Sequence, residues 1–312
     1  MSENSKKKIS DEKKNETSEK NGRLKISNLR IWIYSCSIPA LLLTGYIAGR
    51  FISPDDIGQF GNHVIENLDE SILWFILAGF IAQLIDGALG MAYGVTATSF
   101  LLSFGLTPAV SSASVHASEV FTSGVSGLMH LKFGNVNSKL FKNLLIPGVI
   151  GAILGAYILT SLENYNHYIM PIVSIYTLIL GIIIIRKALK KNRGRKKVKR
   201  LFPLAAAGGF LDSIGGGGWG PIVSSTLIAN GKNPRYTIGS VNLAEFFVAL
   251  ASSFTFIATI GFTHWSVIFG LIIGGVIAAP IGAFMANKIP TKALMIMVGI
   301  LIIITSMKRI FF

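Results

Sequence analysis

The chain contains a single cysteine, Cys36, among its 312 residues. One cysteine cannot form an intramolecular disulfide or a cysteine-based metal cluster. The sequence also has no HExxH pair, no serine nucleophile elbow and no phosphate-binding loop, so the patterns of common enzymes are missing. We therefore expect no enzymatic activity, no cofactor and no metal site.

Charge is scarce as well. Charged residues make up 14% of the chain, whereas a soluble domain carries about 25%. Hydrophobic residues make up 51%, in recurrent runs long enough to span a bilayer. The runs are continuous rather than alternating, which favours helices over a β-barrel. The sequence predicts an all-α, multi-pass protein of the cell membrane.

The net charge of +14 is concentrated outside the apolar runs. Arg186 to Arg200 holds ten basic residues and no acid, and Met1 to Arg30 holds nine bases and five acids. Basic segments beside apolar spans are typical of cytoplasmic loops. They can also bind anionic lipid headgroups, which we expect at the basic linker. No motif or aromatic platform accompanies the bases, so we expect no nucleic-acid partner.

Composition divides the chain into six segments. We expect a disordered basic cytoplasmic tail, an extra N-terminal transmembrane helix, an acidic extracytoplasmic loop, a first repeat, a basic cytoplasmic linker and a second repeat. These segments cover residues 1–28, 29–52, 53–70, 71–186, 187–200 and 201–312, respectively.

Two copies of one unit follow each other in the apolar part. Pairing each residue with the one 126 positions later gives 11 identities in the 36 positions from Asp86 to Phe121. After a shift of one residue, Gly148-Val149-Ile150 matches Gly275-Val276-Ile277. An internal repeat with a glycine-interrupted apolar segment in each copy is the sequence indication of a transporter site.

The number of membrane crossings indicates how the copies are oriented. Residues 53–70 are expected outside and residues 186–200 inside, and three clear helices lie between them at 110–131, 141–162 and 168–186. The stretch 71–104 must then contribute an even number of crossings. Its two halves of about 15 residues are short for the hydrocarbon core, which favours a re-entrant hairpin. With 201–231 as a second hairpin, each repeat has three crossings, and the copies are inverted.

The glycine breaks are the candidate substrate site. Glycine lets the backbone leave the helix, and a restarting helix presents free N–H groups and its positive dipole end to an anion. No Lys or Arg occurs between Ser71 and Leu131 or between Leu201 and Gly231. Backbone amides and hydroxyls must then hold an anion, although small and hydroxyl residues also serve for helix packing. Tyr93 and Trp219 can gate the cavity or simply fill space. The candidate residues are Gly90, Tyr93, Gly94, Thr96, Gly216, Gly217, Trp219, Gly220 and Ser224.

Polar residues of the following helices form a second candidate set. His116 and Glu119 correspond to Asn242 and Glu245 in the second repeat. Residues three apart share a helix face, and an ionised carboxylate in the bilayer must be paired, protonated or hydrated. These groups either couple transport to protons or hydrogen-bond to the hairpin backbone. Asp86 and Asp212 precede the breaks and either cap the next turn or line the cavity.

At these residues the chain resembles the sulfite exporter TauE/SafE family. The resemblance is carried by the duplicated hairpin with residues 215–221 (GGGGWGP), by Asn233-Pro234 and by residues 239–242 (GSVN), and it covers roughly Ser71 to Phe312. It implies transport of sulfur-containing anions such as sulfite or organosulfonates, driven by the membrane potential or a proton gradient. The first break departs from this pattern, with Ala88, Leu89, Met91 and Ala92 where a richer glycine run is expected.

The leading functional hypothesis is thus a secondary transporter of a small anion that works by alternating access around a site at the membrane midplane. The alternative is a cation-selective channel or carrier that uses the intramembrane carboxylates, because hard cations prefer oxygen ligands.

Overall fold

The computed structural model describes residues 71–89, 91–189, 200–230, 232–261, 264–285 and 291–311. The predicted N-terminal tail, the extra helix, the acidic loop, most of the basic linker and Gly90 lie outside these residues. The described residues form ten α-helices, a 3-10 turn at Glu163–Tyr165 and a π-helical turn at Gly220–Ser224. The helices are α1 Ile72–Leu89, α2 Tyr93–Ser103, α3 Pro108–Lys132, α4 Ser138–Ser161, α5 Asn166–Leu189, α6 Leu201–Gly215, α7 Ser225–Ala229, α8 Pro234–Ile260, α9 Trp265–Met285 and α10 Thr291–Phe311.

Three stretches of the described chain are long and apolar enough to cross a membrane. They are Ser138–Ser161, Glu163–Leu189 and Pro234–Ile260. Together with the shorter apolar helices, they agree with the predicted all-α polytopic membrane protein. The helices begin and end close to the predicted apolar stretches, because the glycine and proline positions that delimit them are visible in the sequence.

Each repeat contains the predicted helix break. In the second repeat, α6 ends at Gly216, whose φ of 60° lies in the left-handed region that favours glycine. In the first repeat, Ala92 precedes α2 with a φ of 109°, a conformation that is costly for a residue with a Cβ.

The arms on either side of the breaks differ from the predicted equal halves. The first arms, α1 and α6, have 18 and 15 residues. The second arm of the first repeat, α2, has 11 residues, and that of the second repeat runs only over 220–229. This difference in length was not predictable, because the apolar composition continues through both arms.

The helix that follows each break starts in the same way. Thr107 is the N-cap of α3 and accepts a hydrogen bond from the backbone N–H of Val110, with Pro108 in the first turn. Asn233 is the N-cap of α8 and accepts from the N–H of Arg235, with Pro234 in the first turn. A polar N-cap followed by proline is a strong helix start, so both helices begin at repeat-related positions.

Helix packing is unchanged when the two repeats are exchanged. The helix α1 packs against α9, and its counterpart α6 packs against α4, which is the counterpart of α9. The helices α3 and α8 are counterparts and pack against each other, as do α5 and α10. These helix pairs are therefore the same when the two repeats are exchanged.

The two pairs formed by counterpart helices, α3 with α8 and α5 with α10, are antiparallel. Along α3 and α8, Gly124 lies against Phe246 and Gly127 against Leu243, so one number rises as the other falls. Along α5 and α10, Thr177 hydrogen-bonds to Ser306 at 2.8 Å, and Met170 lies 3.2 Å from Arg309. A two-fold axis that exchanges the two helices of an antiparallel pair lies perpendicular to both helices.

Candidate functional site

The two helix breaks meet inside the protein. The Thr98 hydroxyl donates a hydrogen bond to the carbonyl oxygen of Gly216 at 2.6 Å. A Cβ added to Gly94 would lie 2.7 Å from the Gly216 oxygen and 2.9 Å from the Cα of Gly217. A Cβ on Gly220 would lie 2.9 Å from that of Met91. Glycine is required here for backbone approach, and the two breaks are in direct contact.

The side-chain carboxylate of Asp212 accepts hydrogen bonds from backbone N–H groups of the second break. Asp212 Oδ1 accepts hydrogen bonds from the N–H groups of Gly218 and Trp219 at 2.6 and 2.8 Å, and the N–H of Gly217 donates to the Asp212 carbonyl at 3.1 Å. Successive N–H groups pointing at one oxyanion form an anion-binding nest. The expectation of free amides is wrong for these three groups, because the Asp212 carboxylate binds the N–H groups of Gly218 and Trp219 and the Asp212 main-chain carbonyl binds that of Gly217.

The first break has a weaker version of this cap. The N–H of Tyr93 donates to Asp86 Oδ1 at 3.3 Å. Both aspartates thus accept hydrogen bonds from the turn that follows them, which is one of the two roles considered for them, and at Asp212 these bonds are shorter and more numerous.

His116 connects the first repeat to this cap. Its Nδ1 lies 2.8 Å from the Ser112 carbonyl oxygen, and its Nε2 lies 3.2 Å from Asp212 Oδ2. A carbonyl only accepts, so Nδ1 carries a hydrogen and donates to it. His116 therefore joins the Ser112 carbonyl of its own helix to the Asp212 carboxylate of the second break, and both side chains are buried.

Glu119 lies beside the breaks without such a partner. Its side chain is buried, and Oε2 has no hydrogen-bond partner among the described residues. The described amides of Tyr93, Gly218 and Trp219 are bound by the aspartates, so a bond from Glu119 to the hairpin backbone stays a prediction. Ligand atoms of His116, Glu119 and Asp212 all lie within 4.8 Å of one another, a grouping that the sequence analysis did not predict.

The other two residues of the predicted polar set lie on α8. Asn242 donates from Nδ2 to the Ser126 hydroxyl at 2.9 Å, so it joins α8 to α3. Glu245 is half-buried and interacts electrostatically with Asp86 and Asp212.

Two buried hydroxyls beside the breaks have unused hydrogen-bonding capacity. Thr96 Oγ1 on α2 and Ser224 Oγ at the end of the π-helical turn have no partner among the described residues. Both residues are fully buried. A buried hydroxyl is normally paired, so each unpaired one indicates a place where a ligand can bind.

The two aromatic candidates sit in apolar packing. Trp219 is fully buried among the side chains of a core cluster and donates from Nε1 to the Val241 carbonyl at 3.2 Å. Tyr93 belongs to a second cluster, and its hydroxyl lies 3.0 Å from that of Ser118. Their contacts are those expected of residues that fix the breaks against neighbouring helices.

Three further residues contact the second break and were missed from the sequence. Ser112 donates to the Ser213 carbonyl at 2.5 Å, Tyr176 donates to the Gly217 carbonyl at 3.3 Å, and Lys187 donates to the Pro221 carbonyl at 2.9 Å. Tyr176 and Lys187 come from α5. A polar side chain within an apolar helix was the only available signal for Tyr176.

The family model for "Sulfite exporter TauE/SafE" matches residues 75–309, which includes both breaks and all but the outermost residues of the described helices. The chain belongs to this family. The TauE/SafE resemblance expected from the glycine-rich repeats is therefore confirmed, and the chain is a membrane transporter by family.

A curated relative supports the same assignment. The chain is 41% identical over 251 residues to the "Probable membrane transporter protein YtnM" of Bacillus subtilis (strain 168), an alignment that covers 77% of this chain and 83% of the relative. No solved structure matches the chain.

Proposed function

We propose that this TauE/SafE protein is a secondary transporter of a small anion, and that sulfite, an organosulfonate or a related sulfur-containing anion is its substrate. The observation that carries the proposal is the direct contact of the two breaks, where Thr98 reaches Gly216 and Gly94 faces Gly217. Irregular backbone at membrane depth persists only where it is buried in protein or lines a cavity. A pair of such breaks from two repeats is the usual setting of a transporter site.

The chemistry of the breaks suits an oxyanion. The nest around Asp212 already holds a carboxylate on the N–H groups of Gly218 and Trp219, so the same backbone can hold a substrate oxygen. The unpaired hydroxyls of Thr96 and Ser224 add two donors. Donors of this kind can hold a sulfur oxyanion without a buried Lys or Arg.

The packing supports inverted repeats. In the pairs α3/α8 and α5/α10, counterparts from the two repeats are antiparallel. If these helices cross the bilayer, then the two copies cross it in opposite directions, with the pseudo-two-fold in the membrane plane. Inverted copies around one site can exchange conformations, which is the structural basis of alternating access. From the basic residues near the ends of α3 and α5 we infer that those ends, and the N-terminus, lie in the cytoplasm.

A flux experiment tests the proposal. Purified protein in liposomes is given a gradient of ³⁵S-labelled sulfite under anaerobic conditions, with methanesulfonate, sulfate and acetate as competitors and protein-free liposomes as the control. We expect protein-dependent sulfite flux that the sulfonate inhibits more strongly than acetate does. Protein that binds and moves none of these anions contradicts the proposal.

One observation favours a second candidate function, a cation carrier. His116, Glu119 and Asp212 bring three ligand groups within 4.8 Å, and the unpartnered Oε2 of Glu119 requires either a proton or a cation in a buried site. Ion-replacement recordings on the same liposomes separate the two functions. Currents that follow Na⁺ or K⁺ and ignore sulfite would favour the cation carrier, and Glu119→Gln should then abolish them.

A further inference from the structure

A cleft lies between α3, α8 and the start of α9. Its lining includes Ser114, Ala117, Ser253, Phe256 and His264. The lining is adjacent to the candidate site, because Ala117 follows His116 in the chain and the centroid of the Phe256 ring lies 6.0 Å from that of His116. The Ser253 hydroxyl is buried and has no partner among the described residues.

The repeat-related region at the other end of α3 and α8 is packed instead. Ile257, which lines the cleft, is 40% exposed, whereas its counterpart Leu131 is 1% exposed. Ser114 lines the cleft, whereas its counterpart Ser240 accepts a hydrogen bond from the N–H of Asn137 at 2.8 Å. The two ends of the pseudo-symmetric structure are therefore not equivalent.

A segment over 135–137 closes the packed end. Gly239 lies so close to the backbone of Asn135 that a Cβ would overlap its carbonyl oxygen. Ala113, the counterpart of Gly239, carries that Cβ at the cleft end. Arg235 then holds the segment from the solvent side: Nε donates to Asn135 Oδ1 at 2.5 Å and Nη2 to the Phe133 carbonyl at 3.4 Å. The counterpart of Arg235 is Ala109, which has no side chain able to form such a contact.

We propose that the cleft is the extracytoplasmic access route of the transported anion, and that the packed end is the closed cytoplasmic gate. The gate is formed by the contacts of Asn135 and Asn137 with Arg235, Gly239 and Ser240. The proposal rests on the transport function and inverted repeats proposed above. The structure is then the outward-open state, and the inward-open state is reached when this gate releases and the cleft closes. The side chain that holds the gate closed is that of Arg235, which we call the latch, and the corresponding residue at the cleft end is Ala109.

The charges support this sidedness. Lys132, Lys139 and Lys142 flank the gate segment, and basic residues collect on the cytoplasmic side. At the cleft end, Glu163 is close enough to His264 to interact with it electrostatically.

Sided cysteine labelling tests the proposal without a known substrate. Cys36 is replaced by serine, and Ser114→Cys or Ser240→Cys is added as a matched pair of identical residues from the two repeats. A membrane-impermeant methanethiosulfonate reagent is applied to each face of liposomes of known orientation. We expect Ser114→Cys to react from the extracytoplasmic face and Ser240→Cys to be protected from both faces.

Opening the gate should reverse this pattern. In the Ser240→Cys protein, Arg235→Ala removes the latch, and labelling from the cytoplasmic face should rise about tenfold, the effect of losing a hydrogen bond to a charged group. Gly239→Ala should act in the same direction by steric overlap. Lys232→Ala removes an exposed positive charge at the same end and should change nothing, which controls for charge and for folding.

Several outcomes overturn the proposal. Equal labelling of the two cysteines, labelling of Ser114→Cys from the cytoplasmic face, or no reaction from either face, as in a lipid-filled cleft, all contradict it. Sulfite flux is measured separately on the same proteins. Sulfite flux together with equal labelling of the two cysteines would refute the gate but not the transport function. Unequal labelling without sulfite flux would refute sulfite as the substrate but not the gate.

Discussion

The Thr98 hydroxyl and the Gly216 carbonyl oxygen are 118 positions apart in sequence and form a buried hydrogen bond of 2.6 Å. The bond joins the second arm of one helix break to the turn of the other. Gly216 has the left-handed conformation that ends α6, so its carbonyl leaves the helical hydrogen-bond pattern and needs a partner from elsewhere. Thr98 provides it, and it thereby fixes one break against the other.

Replacing Thr98 by valine should destabilise the protein. The substitution preserves shape but leaves the Gly216 oxygen buried without a donor, which costs about 1–2 kcal/mol. Thermal unfolding in detergent measures the loss, and Thr98→Ser should largely restore the stability. The control is Thr259→Val, because Thr259 is exposed and bonds only within its own helix. Equal effects of Thr98→Val and Thr259→Val would show that the bond between the breaks contributes nothing.

Thr96→Val should separate stability from transport. The Thr96 hydroxyl is buried without a partner, so its removal should leave the stability unchanged or raise it slightly. If the hydroxyl binds the anion, then the KM for flux should rise about tenfold, the effect of one hydrogen bond to a charged ligand. Kinetics of ³⁵S-labelled sulfite flux and thermal unfolding are measured on the same preparation. A less stable protein with an unchanged KM would assign Thr96 to packing.

The two capping aspartates should differ in energetic importance. Asp212→Asn removes the carboxylate that faces His116. It should lower the free energy of unfolding by about 3 kcal/mol or more, as expected when one partner of a buried pair is lost. Asp86 accepts a single hydrogen bond, from the N–H of Tyr93 at 3.3 Å. Asp86→Asn should therefore lower the free energy of unfolding by about 1 kcal/mol. Chemical denaturation of both variants tests this order. Equal destabilisation would contradict the assigned roles.

Ala92 offers a test through backbone strain. Its φ of 109° is costly for a residue with a Cβ, so Ala92→Gly should raise the stability by about 0.5 kcal/mol after the greater flexibility of the unfolded glycine chain is subtracted. In the interior of α2, Ala97→Gly should instead lower it by about 1 kcal/mol. The opposite signs are the prediction, read from thermal unfolding. A loss for both variants would mean that Ala92 is not strained.

Local features of this chain were predictable from sequence, and contacts between the repeats were not. The starts of α3 and α8 follow from the N-caps before Pro108 and Pro234, and the end of α6 follows from Gly216, because each depends on residues within one turn. The internal repeat further indicated that the breaks would meet.

The polar pairing at the site depends on tertiary contacts. His116 and Asp212 are 96 positions apart, and the sequence analysis did not pair them, because no spacing rule connects two different helices. The amides of Gly218 and Trp219 seemed available for the same reason: the sequence shows the capping residue but not how its carboxylate turns. The unequal ends of the α3/α8 pair depend on differences such as Ala113 against Gly239, which have meaning only once the packing is known.

Anion flux in a pair of glycine variants tests the central claim most directly. A Cβ on Gly217 would overlap the backbone of Gly94 and Val95, whereas a Cβ on Gly275 would lie at an ordinary distance of 3.4 Å from Thr122. In liposomes with equal amounts of folded protein, we expect Gly217→Ala to abolish ³⁵S-labelled sulfite flux and Gly275→Ala to retain it. Normal sulfite flux through folded Gly217→Ala protein would contradict the account, because the contact between the two breaks would then have no part in transport.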